Sequence, residues 1–234
     1  MGGRDFITIL FSEQEKKYLL RAWGKYRYIV SILYFYYMIA IIDYGAGNLK
    51  SLFNACRILG YSPRLVSSPD ALDKAAKIIL PGVGNFGPAM NQLESYREVL
   101  KQKTGDGVPF LGICLGIHLV LDGSDESPGT GGLGIFRGSC KRFPKTVKIP
   151  HMGWNSVSLV GKSPLTEGIG DDSLFYFVHS FYPLPERDAV VLGETEYGLR
   201  FPSIIGESNV YATQFHPEKS GDVGLKLLRN FLEL

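Results

Sequence analysis

Three short runs, "MIAIID" from Met38, "KIIL" from Lys77 and "VPFLGI" from Val108, are apolar throughout rather than at alternate positions. Each runs straight into glycine, as "YGAGN", "PGVGNFG" and "CLG". A strand apolar on both sides must be covered on both sides, which calls for a parallel sheet with helical crossovers. The stretch between the first two runs fits: "NLKSLFNACRILG" puts Leu49, Leu52, Phe53, Cys56 and Leu59 on one helical face, with Gly60 suited to the C-terminal cap. A short strand is expected at 64–66, a helix at 70–76 and another at 88–101. Beyond residue 130 the text changes to shorter β-like pieces, "IFRGSCKRF", "WNSVSLV", "SLFYFVHSFY", "DAVVLGETEYG" and "VYATQF", closed by a helix over 223–232. The reading is an α/β fold with a doubly wound, mostly parallel central sheet, helices on both faces, and additional short strands in the C-terminal half. Ligands of such sheets bind where the strands end, which is where the glycines lie.

The 234 residues suit one large domain. The formal net charge is only +2, and residues 1–37 hold six Lys/Arg against three Asp/Glu, so the rest is close to neutral. That gives no electrostatic reason to expect nucleic acid. Residues 1–37 also hold ten aromatic residues. The apolar run from Tyr28 to Ile42 is about 15 residues, short of the roughly 20 that cross a bilayer, and no cleavage site of a secretory signal follows it. The folded domain is expected to span residues 38–234. Residues 1–37 are expected to be an accessory helical extension, or residues added by an upstream start, with an interfacial anchor as the weaker alternative. Three cysteines with no CxxC suggest neither a disulfide framework nor a zinc site, and a reducing cytoplasm is the simpler setting.

One of those cysteines is presented differently from the others. In "GICLG", Cys114 stands between glycines where a strand turns into a helix beginning near Leu115, the pattern of a nucleophile elbow. A helix N-terminus beside the sulfur favours thiolate over a thiol whose free pKa is ~8.5. Cys56 and Cys140 read as small core hydrophobes. The best candidate base lies in "ATQFHPEKSG": His216 and Glu218 are two apart, so an extended segment projects them to one side, and Glu218 can fix the imidazole that takes the proton. The glycines of "PGVGNFG" can turn the N–H groups of Val83 and Gly84 toward the cleft, and the Leu115 N–H supplies a further oxyanion donor.

These residues resemble the class I, triad-type glutamine amidotransferases, in "GICLG" and "FHPE". "IDYGAGN", "PGVGNFG", "PHMGWN" and "YFVHSFY" are similar to the glutaminase subunits of imidazole glycerol phosphate synthases, over Met38 to Leu234. The resemblance implies hydrolysis of glutamine to glutamate and ammonia, with no cofactor and no metal, by Cys114, His216 and Glu218. It carries glutamine contacts to Gly84, His118, Glu126 and Ser180. It also implies a partner, a (β/α)₈-barrel cyclase subunit that takes the ammonia in a heterodimer, with Asn48, Trp154, Tyr176 and Lys219 on the docking face. Neither nucleic acid nor membrane is expected to be a partner. One departure is His118, where the family usually has Gln, and weaker glutamine binding is expected from it. His151 and His179 are assigned to structure or the interface. The alternatives are a catalytically silent subunit, a different class I amidotransferase, or a cysteine hydrolase on the same scaffold.

Overall fold

The computed structural model describes residues 38–45 and 47–234; the proposed accessory extension over 1–37 lies outside them. The three apolar runs form β1 (Ile39–Ile42), β3 (Lys77–Gly82) and β4 (Phe110–Cys114), buried at all but one position. With β2 (Arg64–Val66) and β12 (Val210–Thr213) they make five parallel strands in the order β2-β1-β3-β4-β12. Successive side chains leave opposite faces, and the core divides accordingly. Ala40, Ile42, Ile78, Leu80 and Phe110 join one apolar cluster, while Ile39, Ile41, Ile79, Leu111 and Ile113 join the other. The first is covered by α2 (Phe86–Leu93), α3 (Arg97–Gly105) and α4 (Leu115–Leu119). The second is covered by α1 (Leu49–Ile58) and α5 (Gly221–Glu233).

Beyond β12 the same sheet continues antiparallel through β11 (Arg200–Glu207), β10 (Val191–Glu196), β7 (His151–Leu159) and β8 (Ser173–His179). A separate three-stranded sheet holds β5 (Gly123–Ser124), β6 (Gly138–Arg142) and β9 (Phe181–Pro185).

Several expectations need correction. The helix expected at 70–76 is a 3₁₀ turn, Pro69–Lys74, because only Leu72 is buried and no apolar face repeats to extend it. The helix expected at 88–101 is α2, a 3₁₀ turn at Glu94–Tyr96, and α3. It starts earlier because Glu126 and Ser127 accept the N–H groups of Phe86 and Gly87, leaving Pro88 in a first turn that needs no N–H from it. The piece "VYATQF" belongs with the parallel strands, since β12 slots in beside β4 with Val210 opposite Phe110. "SLFYFVHSFY" is two strands of different sheets, broken at Ser180. β11 was not anticipated, because Pro202 argues against a central strand; it pairs with Glu194 beside a register shift in β10.

Candidate active site

Cys114 closes β4 with φ 55° and ψ −104°, a left-handed backbone that costs a side-chain-bearing residue about 1–3 kcal/mol. The neighbouring glycines make the bend possible. A Cβ on Gly116 would stand 2.5 Å from the Leu80 carbonyl oxygen, and one on Gly112 would stand 2.9 Å from the Gly116 backbone. Gly82, opposite Cys114 in the ladder, meets the same constraint from Leu115 and from the Tyr44 hydroxyl, each 2.7 Å from its ideal Cβ. Cys114 is 6% exposed, and its sulfur lies 3.8 Å from the Val178 carbonyl oxygen on β8. Cys56 and Cys140 are fully buried free thiols; burial raises the Cys56 pKa to about 12 and drives Cys140 up as well.

His216 follows β12 and leads into a 3₁₀ turn, Pro217–Lys219. Its Nδ1 lies 2.8 Å from Glu218 Oε1, and both side chains are almost wholly buried. A carboxylate only accepts, so Nδ1 carries the proton, and Nε2 is buried with no hydrogen-bond partner among the described residues. Burial alone would lower the imidazole pKa. The nearby Cys114, then the Glu218 carboxylate, outweigh it and lift the value to about 10. That environment favours the charged imidazole. The turn is tied to β8: the His216 N–H donates to the Tyr176 carbonyl at 2.9 Å, the Tyr176 N–H donates to Ser220 Oγ, and Ser220 Oγ donates to the His216 carbonyl.

The loop after β3 brings Val83 and Gly84 to the same end of the sheet. Gly84 has φ +94°, and neither N–H finds a partner among the described residues. Leu115 is the first residue of the five-residue α4, where the helix was expected to begin. Glu126 caps α2 with one carboxylate oxygen, 2.8 Å from the Phe86 N–H. Ser180 sits at the break between β8 and β9, partly exposed. His118 is 4% exposed; its Nε2 lies 2.8 Å from Gln214 Oε1, and burial pushes its pKa down to about 4.

Three of the four residues assigned to docking form one cluster. Trp154 and Tyr176 are cross-strand partners on β7 and β8, their rings edge to face at 6.1 Å, and the Lys219 ammonium stands 5.9 Å from the Tyr176 ring. Trp154 is 56% exposed, and Met152 and Leu174 beside it are exposed as well. Asn48 precedes α1, which packs against the Pro217–Lys219 turn.

Sequence reasoning missed three residues of this site. The buried Tyr44 hydroxyl has no partner among the described residues, and its pKa is raised by burial and then by the Cys114 charge. Its place just after β1, at a strand end, was the available signal. Gln214 lies two residues before His216, so the alternation that paired His216 with Glu218 pointed to it too. Ser220 gave no signal, because its role depends on β8 lying alongside. Among the described residues no cluster could hold a metal, and no helix is long and apolar enough to cross a membrane.

The family profile described as glutamine amidotransferase class-I matches residues 40–234. The chain is 51% identical over 198 residues to imidazole glycerol phosphate synthase subunit HisH of Methanocaldococcus jannaschii, covering 84% of this chain and 100% of that one. It is 51% identical over 197 residues to the HisH subunit of Methanothermobacter thermautotrophicus, covering 84% and 98%. Among solved structures it resembles PurLQS from Thermotoga maritima, with TM-score 0.68 and 19% identity over 84% of this chain and 97% of that one. It also resembles a putative GMP synthase subunit from Thermoplasma acidophilum, with TM-score 0.64 and 21% identity over 84% and 92%. At these identities the structural likeness speaks for the fold alone.

Proposed function

The chain belongs to the class-I glutamine amidotransferases and, within them, to the glutaminase subunits of imidazole glycerol phosphate synthase; from that premise we propose that Cys114, His216 and Glu218 hydrolyse the side-chain amide of glutamine. The Cys114 sulfur attacks the amide carbon, and its oxygen takes the negative charge, facing the N–H groups of Val83, Gly84 and Leu115. His216, kept protonated and oriented by Glu218, gives its proton to the departing nitrogen. Ammonia leaves and a thioester remains. His216 then takes a proton from water, which attacks the thioester and releases glutamate. Gly84, Glu126, Ser180 and His118 bind the glutamine. The Glu126 carboxylate supplies charge for its ammonium group, and one of its oxygens already anchors the helix behind the oxyanion loop.

Ammonia set free in neutral water is mostly protonated and no longer a nucleophile. The reaction is therefore useful only against a synthase partner that receives the ammonia by a protected route. The exposed apolar face of Met152, Trp154 and Leu174, with Tyr176 and Lys219 beside it, supports docking of the cyclase subunit, a (β/α)₈ barrel, in a heterodimer, and Asn48 is assigned to the same partner. Three free cysteines among the described residues suit a reducing cytoplasm as the place of work.

The observation that carries this reading is an imidazole bonded to a buried carboxylate at 2.8 Å and raised in pKa by the nearby Cys114, whose sulfur stands at a left-handed bend. The test compares Cys114→Ala with the parent, each with the cyclase subunit. Glutamate release should fall by about 1,000-fold or more, while ammonium salts should still support the synthase reaction. Glutamate release at the parent rate from the variant would refute the assignment.

A further inference from the structure

His151 opens β7 and His179 closes β8, directly opposite each other in the ladder, and both are buried. Nδ1 of His151 lies 2.9 Å from Nε2 of His179, and Nδ1 of His179 lies 2.7 Å from the Phe181 carbonyl oxygen. The Asn155 amide nitrogen lies 3.2 Å from Nε2 of His151. Chemistry leaves one arrangement of protons. A carbonyl only accepts, so His179 carries its hydrogen on Nδ1, and a neutral ring then has a lone pair on Nε2. His151 must donate to that lone pair from Nδ1, which leaves its own Nε2 to accept from Asn155. The amide orientation of Asn155 is fixed independently: its nitrogen also donates to the Glu196 carbonyl at 2.9 Å, and its oxygen accepts from the Ser156 N–H at 2.8 Å. A second proton on either ring would set two donors against each other. Burial disfavours that proton, pushing His151 down to about 4 and His179 well below the ordinary histidine range.

The chain of bonds ends on the far side of the break at Ser180. Within that bend the Val178 carbonyl meets the Cys114 sulfur, and Phe143 donates its N–H to the Ser180 carbonyl at 3.3 Å with its ring against His179. We propose that His151 and His179 are positioning residues: the one-way chain from Asn155 through both rings to the Phe181 carbonyl fixes the Val178–Phe181 bend, so that Val178 meets the nucleophile and Ser180 meets the glutamine. The proposal rests on the glutaminase reading and names what holds its substrate wall in place.

Two substitutions that keep different nitrogens test it, in the full chain with the cyclase subunit. His179→Asn retains an N–H where Nδ1 stood, and so keeps the bond across the bend. His179→Gln reaches only the place of Nε2 and loses it. The KM for glutamine should rise about tenfold in His179→Gln, and by less than about threefold in His179→Asn, with kcat in both within about threefold of the parent. Equal KM values in all three proteins, or a loss confined to kcat, would overturn the proposal. Nitrogen-15 NMR of the unmodified protein supplies a check that survives a variant's failure to fold: both rings should be protonated on Nδ1, and an Nε2–H signal from either overturns the chain. Wrong tautomers beside intact glutamine hydrolysis would sink this inference alone. Correct tautomers in a parent that releases no glutamate would sink the glutaminase reading, and with it the chain's role at glutamine.

Discussion

On the β3–β4 side of the sheet the site is shaped by side chains that are missing; on the β7–β8 side it is shaped by polar side chains in the interior. Gly82, Gly112 and Gly116 let the elbow backbone close onto β3, and the strands behind it are apolar on both faces. Across the site, the wall facing the sulfur is held by His151, His179, Asn155 and Ser220, each bonded to a main-chain carbonyl or to another side chain. The difference matches what each half must supply. A nucleophile needs one fixed, strained geometry, and steric exclusion gives it with no polar group to satisfy. A wall that offers Val178 O and Ser180 must present polar atoms inward, and buried polar atoms stay in place only with all partners present.

The largest effect should come from filling the elbow. Gly116→Val puts a branched side chain where even a Cβ lies 2.5 Å from the Leu80 carbonyl oxygen, a backbone atom that cannot turn aside. Loss of about 3 kcal/mol or more is expected in urea unfolding. Gly161→Ala, after β7, meets nothing within 4 Å and should stay within about 0.5 kcal/mol of the parent. Similar costs at both positions would remove the steric half of the comparison.

Both mechanisms were unequally legible in the sequence. Runs apolar at every position can only be doubly covered strands, so β1, β3 and β4 were readable, as was the elbow, because glycines flanking a cysteine have a local cause. The pairing of His216 with Glu218 was readable from their spacing of two, although a 3₁₀ turn at Pro217–Lys219, and not the extended segment expected, brings them together. β11 was hidden by Pro202, whose tolerance depends on an irregular ladder with β10. The polar wall was less readable still. His151 and His179 are 28 residues apart, and nothing in "PHMGWN" or "YFVHSFY" says that the two rings meet. Gln214 and His118, 96 apart, meet only because β12 lies beside β4.

Two histidines of the site should also respond to pH in opposite senses. His216 has a folded pKa raised to about 10, so its contribution to stability is complete below about pH 6.5 and is lost as pH rises toward 10. His151 has a folded pKa lowered to about 4. The unfolded chain takes up a proton near pH 6.5 that the folded chain refuses until about 4, so stability falls as pH drops through that window. Urea unfolding across the range should show His216→Asn flattening the alkaline limb. His151→Asn, which retains a donor toward His179, should flatten the acid limb. A substitution that flattened the other's limb would mean the site titrates as one unit and the two halves are not separable.

The smallest effect is expected at a buried polar pair on β10 and β11, the strands that continue the sheet from the β7–β8 wall. Thr195 on β10 donates from Oγ1 to Ser203 Oγ on β11 at 2.9 Å, with both residues buried, and the Ser203 carbonyl receives the Gln214 N–H two residues before His216. Thr195→Val keeps the shape but strands the serine hydroxyl, which should cost about 1 kcal/mol or somewhat more. Adding Ser203→Ala removes the stranded group, so the double variant should recover most of that loss and stand within about 0.5 kcal/mol of the parent. The cycle thus asks whether a buried polar pair stabilises this wall or only forbids the loss of one member. If the double variant is as unstable as the single, the pair contributes net stability, and the polar wall is held as firmly as the glycine-lined one. If it recovers, the wall depends on completeness rather than strength.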